Sequence, residues 1–146
     1  MTPDVTVLVA ASRADHPHHV TALTWLTRAI GQARAQSDLK LLGTVVASFL
    51  RLVTHPKIFT VPTPTAQAVA FIDSVLASPG VAMLAALDEW PKLRALCLDH
   101  HLSANALPDA WIAACVMQQQ EVLITFDRDF VRLLPPKRLQ LLQPTV

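Results

Sequence analysis

The chain is short of charge. Asp, Glu, Lys and Arg together make up 16% of its 146 residues, and they nearly cancel to a formal net charge of +1. That balance argues against a protein that gathers nucleic acid by bulk charge, and leaves room only for a local basic patch. No apolar run approaches the roughly 18 residues of a membrane span, and no basic segment with a cleavage site opens the chain, so neither a membrane nor a secretory role is expected. Only two cysteines occur. Cys97 and Cys115 stand in apolar, helix-like contexts without metal-ligand spacing, and read as buried thiols of a cytoplasmic protein. Internal repeats, low-complexity tracts and linkers are also missing, so residues 1–146 are expected to form one domain. Apolar residues, in contrast, are abundant at 52%, enough that a partner or a second copy is expected to cover part of the surface.

The apolar residues are arranged in short runs and helical stripes. Val5 to Ala10 is continuous, valine-rich and too short for a typical helix, which predicts a strand buried on both faces. Asp15 with Pro17 predicts a helix start. Ala22, Trp25, Leu26, Ala29 and Ile30 follow at helical spacing, and Gly31 is a natural stop. A second helix is predicted from Thr44, with Val45, Val46, Phe49, Leu50 and Val53 as its stripe, ending at Thr54-His55-Pro56. Thr65 to Leu76 is a third. Val81 to Leu84, Glu121 to Thr125 and Leu139 to Leu142 read as strands, and Lys40 to Leu42 as a short strand or loop. Helices are predicted within Asp88 to His101 and from Pro108, the last with Trp111, Ile112, Cys115 and Val116 facing the core. Strands alternating with helices indicate an α/β fold with a mostly parallel central sheet flanked by helices.

Four of the eleven acids stand at the ends of these apolar elements. Asp4 precedes Val5, Asp109 follows Pro108, and Asp127 and Asp129 follow the run ending in Thr125. Each has an ordinary explanation. Asp4 could be a solvated terminal residue, Asp109 a carboxylate at the positive end of a helix, and Asp127 with Asp129 an acidic turn. Taken together they suggest a cluster that repels itself and calls for a cation. Oxygen ligands suit Mg²⁺ or Mn²⁺ better than zinc. Such an ion activates water and neutralises a phosphodiester during in-line displacement. Asp127 lies beyond the carboxyl end of a predicted strand, where ligands bind in parallel sheets. Asp4, at the start of one, fits that rule less well.

These residues, in this order, resemble the PIN-domain ribonucleases, and more closely the toxins of VapBC toxin–antitoxin pairs. The likeness is carried by Asp4-Val5-Thr6-Val7-Leu8-Val9-Ala10, Asp15-His16-Pro17-His18-His19, the segment Phe49 to Phe59, Pro108-Asp109-Ala110, and Thr125-Phe126-Asp127-Arg128-Asp129-Phe130. The resemblance implies a PIN-like domain and a Mg²⁺- or Mn²⁺-dependent endoribonuclease. Asp4, Asp109 and Asp127 would be the catalytic, metal-binding acids, Asp129 would join the metal pocket, and Thr125 would line it. It further implies an RNA substrate, a homodimer, and a VapB-type antitoxin that lays a peptide across the pocket. Two positions depart from the family pattern. Thr6 stands where asparagine is common, and Ser48 where a glutamate usually precedes the Phe-Leu-Arg segment. The loss at Ser48 removes one carboxylate, so weaker metal affinity is expected.

Other residues carry weaker signals. Arg51, His55 and Lys57 follow the helix of Ser48. Arg51 is the best candidate among them for phosphate contact, whereas His55 reads as structural. Arg128, Arg132, Lys137 and Arg138 are as well explained by a solvated face as by RNA steering. His18 and His19, like His100 and His101, are adjacent and cannot face one ion together if helical. Trp25, Trp90 and Trp111 suggest core or dimer contacts, and the Thr44 to Val53 helix offers a dimer face. Two rivals to the nuclease are a PIN-fold module that binds RNA or protein without cutting, favoured by Ser48, and a phosphatase using Asp4 as nucleophile. The second would need an acid where Thr6 stands.

Overall fold

Val5 to Ala10 forms a helix, not the expected strand. In the computed structural model, which describes residues 1–34 and 38–144, the first strand is only Thr2–Pro3 (β1), and α1 spans Val5–Ser12. Val7, Leu8 and Ala10 are fully buried. A helix buried all round shows no 3.6-residue stripe, and a short apolar run of this kind cannot be told from a buried strand by periodicity. Asp4 adopts the extended backbone of an N-cap, and its carbonyl accepts from the N–H groups of Val7 and Leu8. Valine costs a helix a few tenths of a kcal/mol per residue, a preference that burial overrides.

The remaining elements are α2 (His19–Ala33), β2 (Leu39–Leu41), α3 (Gly43–Val53), α4 (Thr65–Leu76), β3 (Val81–Met83), α5 (Trp90–Asp99), α6 (Leu107–Gln118), β4 (Leu123–Thr125) and β5 (Leu139–Leu141). Helices and strands mix along the chain, with α3–α4 and α5–α6 in succession. Every strand pair is parallel. β1, β4 and β5 form one sheet in that order, and β2 pairs with β3 in a second. The Lys40 N–H donates to the Met1 carbonyl at 3.0 Å and lays β2 beside β1. The chain therefore steps outward on one side of β1 through β2 and β3, then returns to the other side with β4 and β5. The order reverses between β1 and β4, the position where open parallel sheets bind ligands.

Several local expectations need correction. Asp15 does not cap α2, because its carboxylate is engaged by Arg13 at 2.8 and 3.0 Å, and the helix starts at His19 after His18. Gly31 lies inside α2 and does not end it. Leu42, not Thr44, occupies the N-cap of α3. Trp111 is 41% exposed and Trp90 61% exposed, so neither is a core residue, although Ile112, Cys115 and Val116 are buried as expected. Val45, Phe49 and Val53 of α3 are fully buried in the chain's own core, which leaves that stripe unavailable as a dimer face. Gly80 is required where it stands: its φ is +79°, and a Cβ there would lie 2.2 Å from the Ala33 carbonyl oxygen. Among the described residues no helix is long and apolar enough to cross a membrane.

Candidate active site

The shift of Val5–Ala10 from strand to helix resolves the awkward placement of Asp4. It lies immediately beyond the carboxyl end of β1, as Asp127 lies beyond the end of β4. Parallel register pairs Pro3 with Ile124, and the Asp4 N–H donates to the Ile124 carbonyl at 2.8 Å. The next residues along the two strands, Asp4 and Thr125, are thereby brought side by side. Asp109 arrives by a different route. It sits in the first turn of α6, the helix that immediately precedes β4 and returns the chain to that strand's start. The beginning of such a helix therefore comes to rest near the strand's carboxyl end.

Asp4 is 2% exposed and is held by hydroxyls. Thr125 Oγ1 donates to its Oδ2 at 2.8 Å, and Thr6 Oγ1 donates to the same oxygen at 3.0 Å. The two hydroxyls lie 3.2 Å apart. Burial holds the Asp4 carboxyl above the usual carboxylate range. The hydroxyl bonds work in the opposite direction, and the charge of Asp127 adds a little to the rise. The Asp127 N–H donates to Thr125 Oγ1 at 2.9 Å, and the Asp127 carboxylate accepts from the Asp129 N–H at 2.8 Å. Asp127 thus caps the short 3₁₀ turn Arg128–Arg132 while remaining part of the acidic group.

Asp109 reports the electrostatics of the cluster. Its carboxyl is pushed up to about 6, first by burial and then by the negative charges of Asp127, Asp4 and Asp129, with Arg132 offsetting part of the rise. The four acids named from the sequence therefore share one electrostatic site. They are not a closed cage: among the described residues no three carboxylate, imidazole or thiolate groups are disposed to hold an ion by themselves. That arrangement suits Mg²⁺, which keeps several waters and is commonly bound through one or two carboxylates plus substrate phosphate. A carboxylate pressed by three others and only partly offset by Arg132 is the condition a divalent cation relieves, so the donor set fits.

The other candidates divide. Thr125 is fully buried and bonded to Asp4. Ser48 is half-buried on α3, and its hydroxyl makes no hydrogen bond to the acids among the described residues. Arg51 is exposed. His55 accepts from the Lys57 N–H through Nδ1, a local structural role. Arg138 donates to the carbonyls of Gln120 and Glu121, which removes it from any RNA-steering face. Thr6, where the family commonly has asparagine, takes part in the site through its hydroxyl. A hydroxyl two residues after a helix-capping aspartate is placed to reach back to it, and here it does. The same bond fills the position in which an aspartyl phosphatase would need a second acid.

The PIN domain family matches residues 1–133. The chain is 38% identical over 136 residues to ribonuclease VapC25 of Mycobacterium tuberculosis, covering 88% of this chain and 89% of that one. It is 37% identical over 133 residues to ribonuclease VapC31 of the same organism, with the same coverage. In fold it is similar to the VapBC2 structure from Rickettsia felis bound to a promoter DNA fragment, with a TM-score of 0.63 at 16% identity, covering 97% of this chain and 98% of that one. It also resembles VapC20 of M. tuberculosis, a toxin that cleaves the sarcin–ricin loop, with a TM-score of 0.59 at 16% identity over 89% of this chain and 90% of that one. With this fold, this acid cluster and these relatives, the chain belongs to the PIN-domain family and, within it, to the VapC ribonucleases.

Proposed function

We propose that this protein is the toxin of a type II toxin–antitoxin pair, a Mg²⁺- or Mn²⁺-dependent endoribonuclease of the cytoplasm. The observation that carries the reading is the convergence of Asp4, Asp109, Asp127 and Asp129 on one site beyond the carboxyl ends of β1 and β4, with Asp109 driven up to about 6 by its neighbours. Asp4, Asp109, Asp127 and Asp129 would share in holding the ion, whose remaining positions would fall to water and substrate phosphate. When bound, the ion supplies a water activated for attack and charge neutralisation on the scissile phosphate. The chain's own residues prepare that chemistry. Thr125 and Thr6 fix the orientation of the Asp4 carboxylate.

The VapBC2 neighbour supports an antitoxin partner, which by family resemblance would lay a peptide across this site and bring a basic side chain to the acids. Trp90, Leu107 and Trp111 are exposed together on α5 and α6 and form the surface best suited to a second copy in a homodimer. A second reading, a PIN-fold module that binds RNA or protein without cutting it, is favoured by one residue, Ser48 in place of the usual glutamate. RNA cleavage in Mn²⁺ by the wild type, compared with Asp109→Asn, separates the two. The nuclease reading expects loss of cutting in the variant, and equal cutting by both proteins would remove these acids from the mechanism.

A further inference from the structure

A groove of about 370 Å³ opens beside the acids, between α1, the turn before α2, and the segment after α3. Its walls include Val5, Val9, His16, His18, Phe59 and Phe126. No Asp, Glu, Lys or Arg lines it, so it is not built for a phosphate. Four of its lining side chains are flat rings already set in place. His18 stacks on Phe126 with centroids 4.9 Å apart and planes at 25°. The His16 ring lies 5.5 Å from that of His18. Phe59 is fixed on one face by the Arg13 guanidinium, 3.8 Å from its centroid. The groove is also joined to the acid site through the chain. Thr6, which lines it, donates to Asp4, and Phe126 stands between Thr125 and Asp127.

We propose that this groove receives an unpaired nucleobase adjoining the scissile phosphate of the RNA substrate, stacked against the His18–Phe126 pair. The proposal rests on the endoribonuclease reading above. A nucleobase presents apolar faces and a polar edge, and the groove presents apolar walls with the imidazoles of His16 and His18 and the Thr6 hydroxyl among them. Its volume falls within the range of small-ligand sites. Bases splayed out of a helix are recognised by stacking on aromatic side chains, histidine included. A base held here places its adjoining phosphate next to Asp4 and Asp127, because Thr6 and Phe126 belong to both sites. An apolar peptide segment of a protein partner is the competing occupant. The neutral, ring-rich walls and their continuity with the acids favour the base.

The test is binding of short single-stranded oligoadenylate and oligouridylate, and of the matching abasic backbone, in EDTA so that no strand is cut. The wild type should bind the base-bearing strands more tightly than the abasic one. His18→Ala should weaken that binding on the order of tenfold, leave the abasic strand unaffected, and be rescued by His18→Phe. Unchanged binding in His18→Ala, or an equal loss for the abasic strand, overturns the proposal. So does a variant that binds RNA normally and loses only its affinity for a protein partner. Cleavage of long RNA in Mn²⁺ keeps the two readings apart. Wild-type cutting that His18→Ala leaves unaltered in rate removes the groove alone. Absence of any wild-type cutting removes the nuclease reading as well.

Discussion

Thr125 Oγ1 donates to Asp4 Oδ2 at 2.8 Å, joining residues that lie 121 positions apart in the chain. The bond spans the carboxyl ends of two neighbouring parallel strands and fixes the one almost fully buried acid of the cluster. Because the acceptor is a carboxylate, the bond is of the stronger, charge-assisted kind.

Replacing Thr125 by valine keeps the shape and removes this donor. It also strips the Asp127 N–H of its acceptor. The expected cost is about 1–3 kcal/mol, read as a lower midpoint in urea unfolding with an unchanged slope. Thr125→Ser should recover most of it. If Thr125→Val is as stable as the wild type, the hydroxyl pair Thr6–Thr125 does not hold Asp4.

Asp109 gives a pH dependence with a definite sign. In metal-free protein its folded-state pKa of about 6 lies above its ordinary value of 3.8. Between those two values the folded state holds a proton that the unfolded state has released. The contribution of this group to stability therefore increases as pH falls through about 6 and is lost as pH rises above it. Asp109→Asn, which cannot ionise, should be more stable than the wild type at neutral pH without metal, with the gap closing toward pH 4. Thermal melts in EDTA across that window measure it. A variant less stable than the wild type at neutral pH would mean that Asp109 is not under charge repulsion.

Divalent metal should reverse that order. Binding to the folded state alone stabilises by mass action, so millimolar Mg²⁺ or Mn²⁺ should raise the wild-type Tm and raise that of Asp109→Asn less. The effect should fade as pH falls below about 6, where protons compete for the same carboxyl. A wild-type Tm indifferent to both ions would refute the metal site.

Most of this site was legible in the sequence, for a physical reason. Carboxylates at the ends of apolar elements are conspicuous, although the strand-end rule pointed to Asp127 and not to Asp4. Asp4, Asp109, Asp127 and Asp129 could therefore be named before their meeting was seen. What could not be read was whatever depends on three-dimensional burial. Val5–Ala10 is apolar on every side as a helix, so its pattern imitates a buried strand. Trp111 keeps helical spacing with Ile112, Cys115 and Val116, yet the helix ends its buried face short of it. The Thr6–Thr125 contact and the His18–Phe126 stack were out of reach because their members are more than 100 residues apart in the chain.

Ser48 permits a gain-of-function test. Ser48→Glu restores the carboxylate common in the family at this position. It should tighten Mn²⁺ binding measured by calorimetry, and it should lower the stability of the metal-free protein by adding a fifth negative charge to a repulsive group. Unchanged Mn²⁺ affinity would show that position 48 does not face the acids.

Arg13 backs Phe59, a wall of the groove, and is itself nearly buried, at 8% exposure. Its guanidinium donates to Thr63 Oγ1 at 3.0 Å and to the Val61 carbonyl at 2.9 Å, grips Asp15 with two further bonds, and covers the Phe59 ring. The planar fork thus ties the end of α1 to the connector between α3 and α4. Lysine carries the same charge but not the fork, and cannot make these contacts together. Arg13→Lys should therefore cost roughly 2–3 kcal/mol, the scale of lost charged hydrogen bonds and a ring contact, seen as a Tm lower by several degrees. It should also loosen Phe59 and weaken the binding of single-stranded RNA, while leaving the Mn²⁺ affinity of the acids intact. Equal stability of Arg13→Lys and the wild type would show that charge alone, and not the geometry of the guanidinium, holds the connector in place.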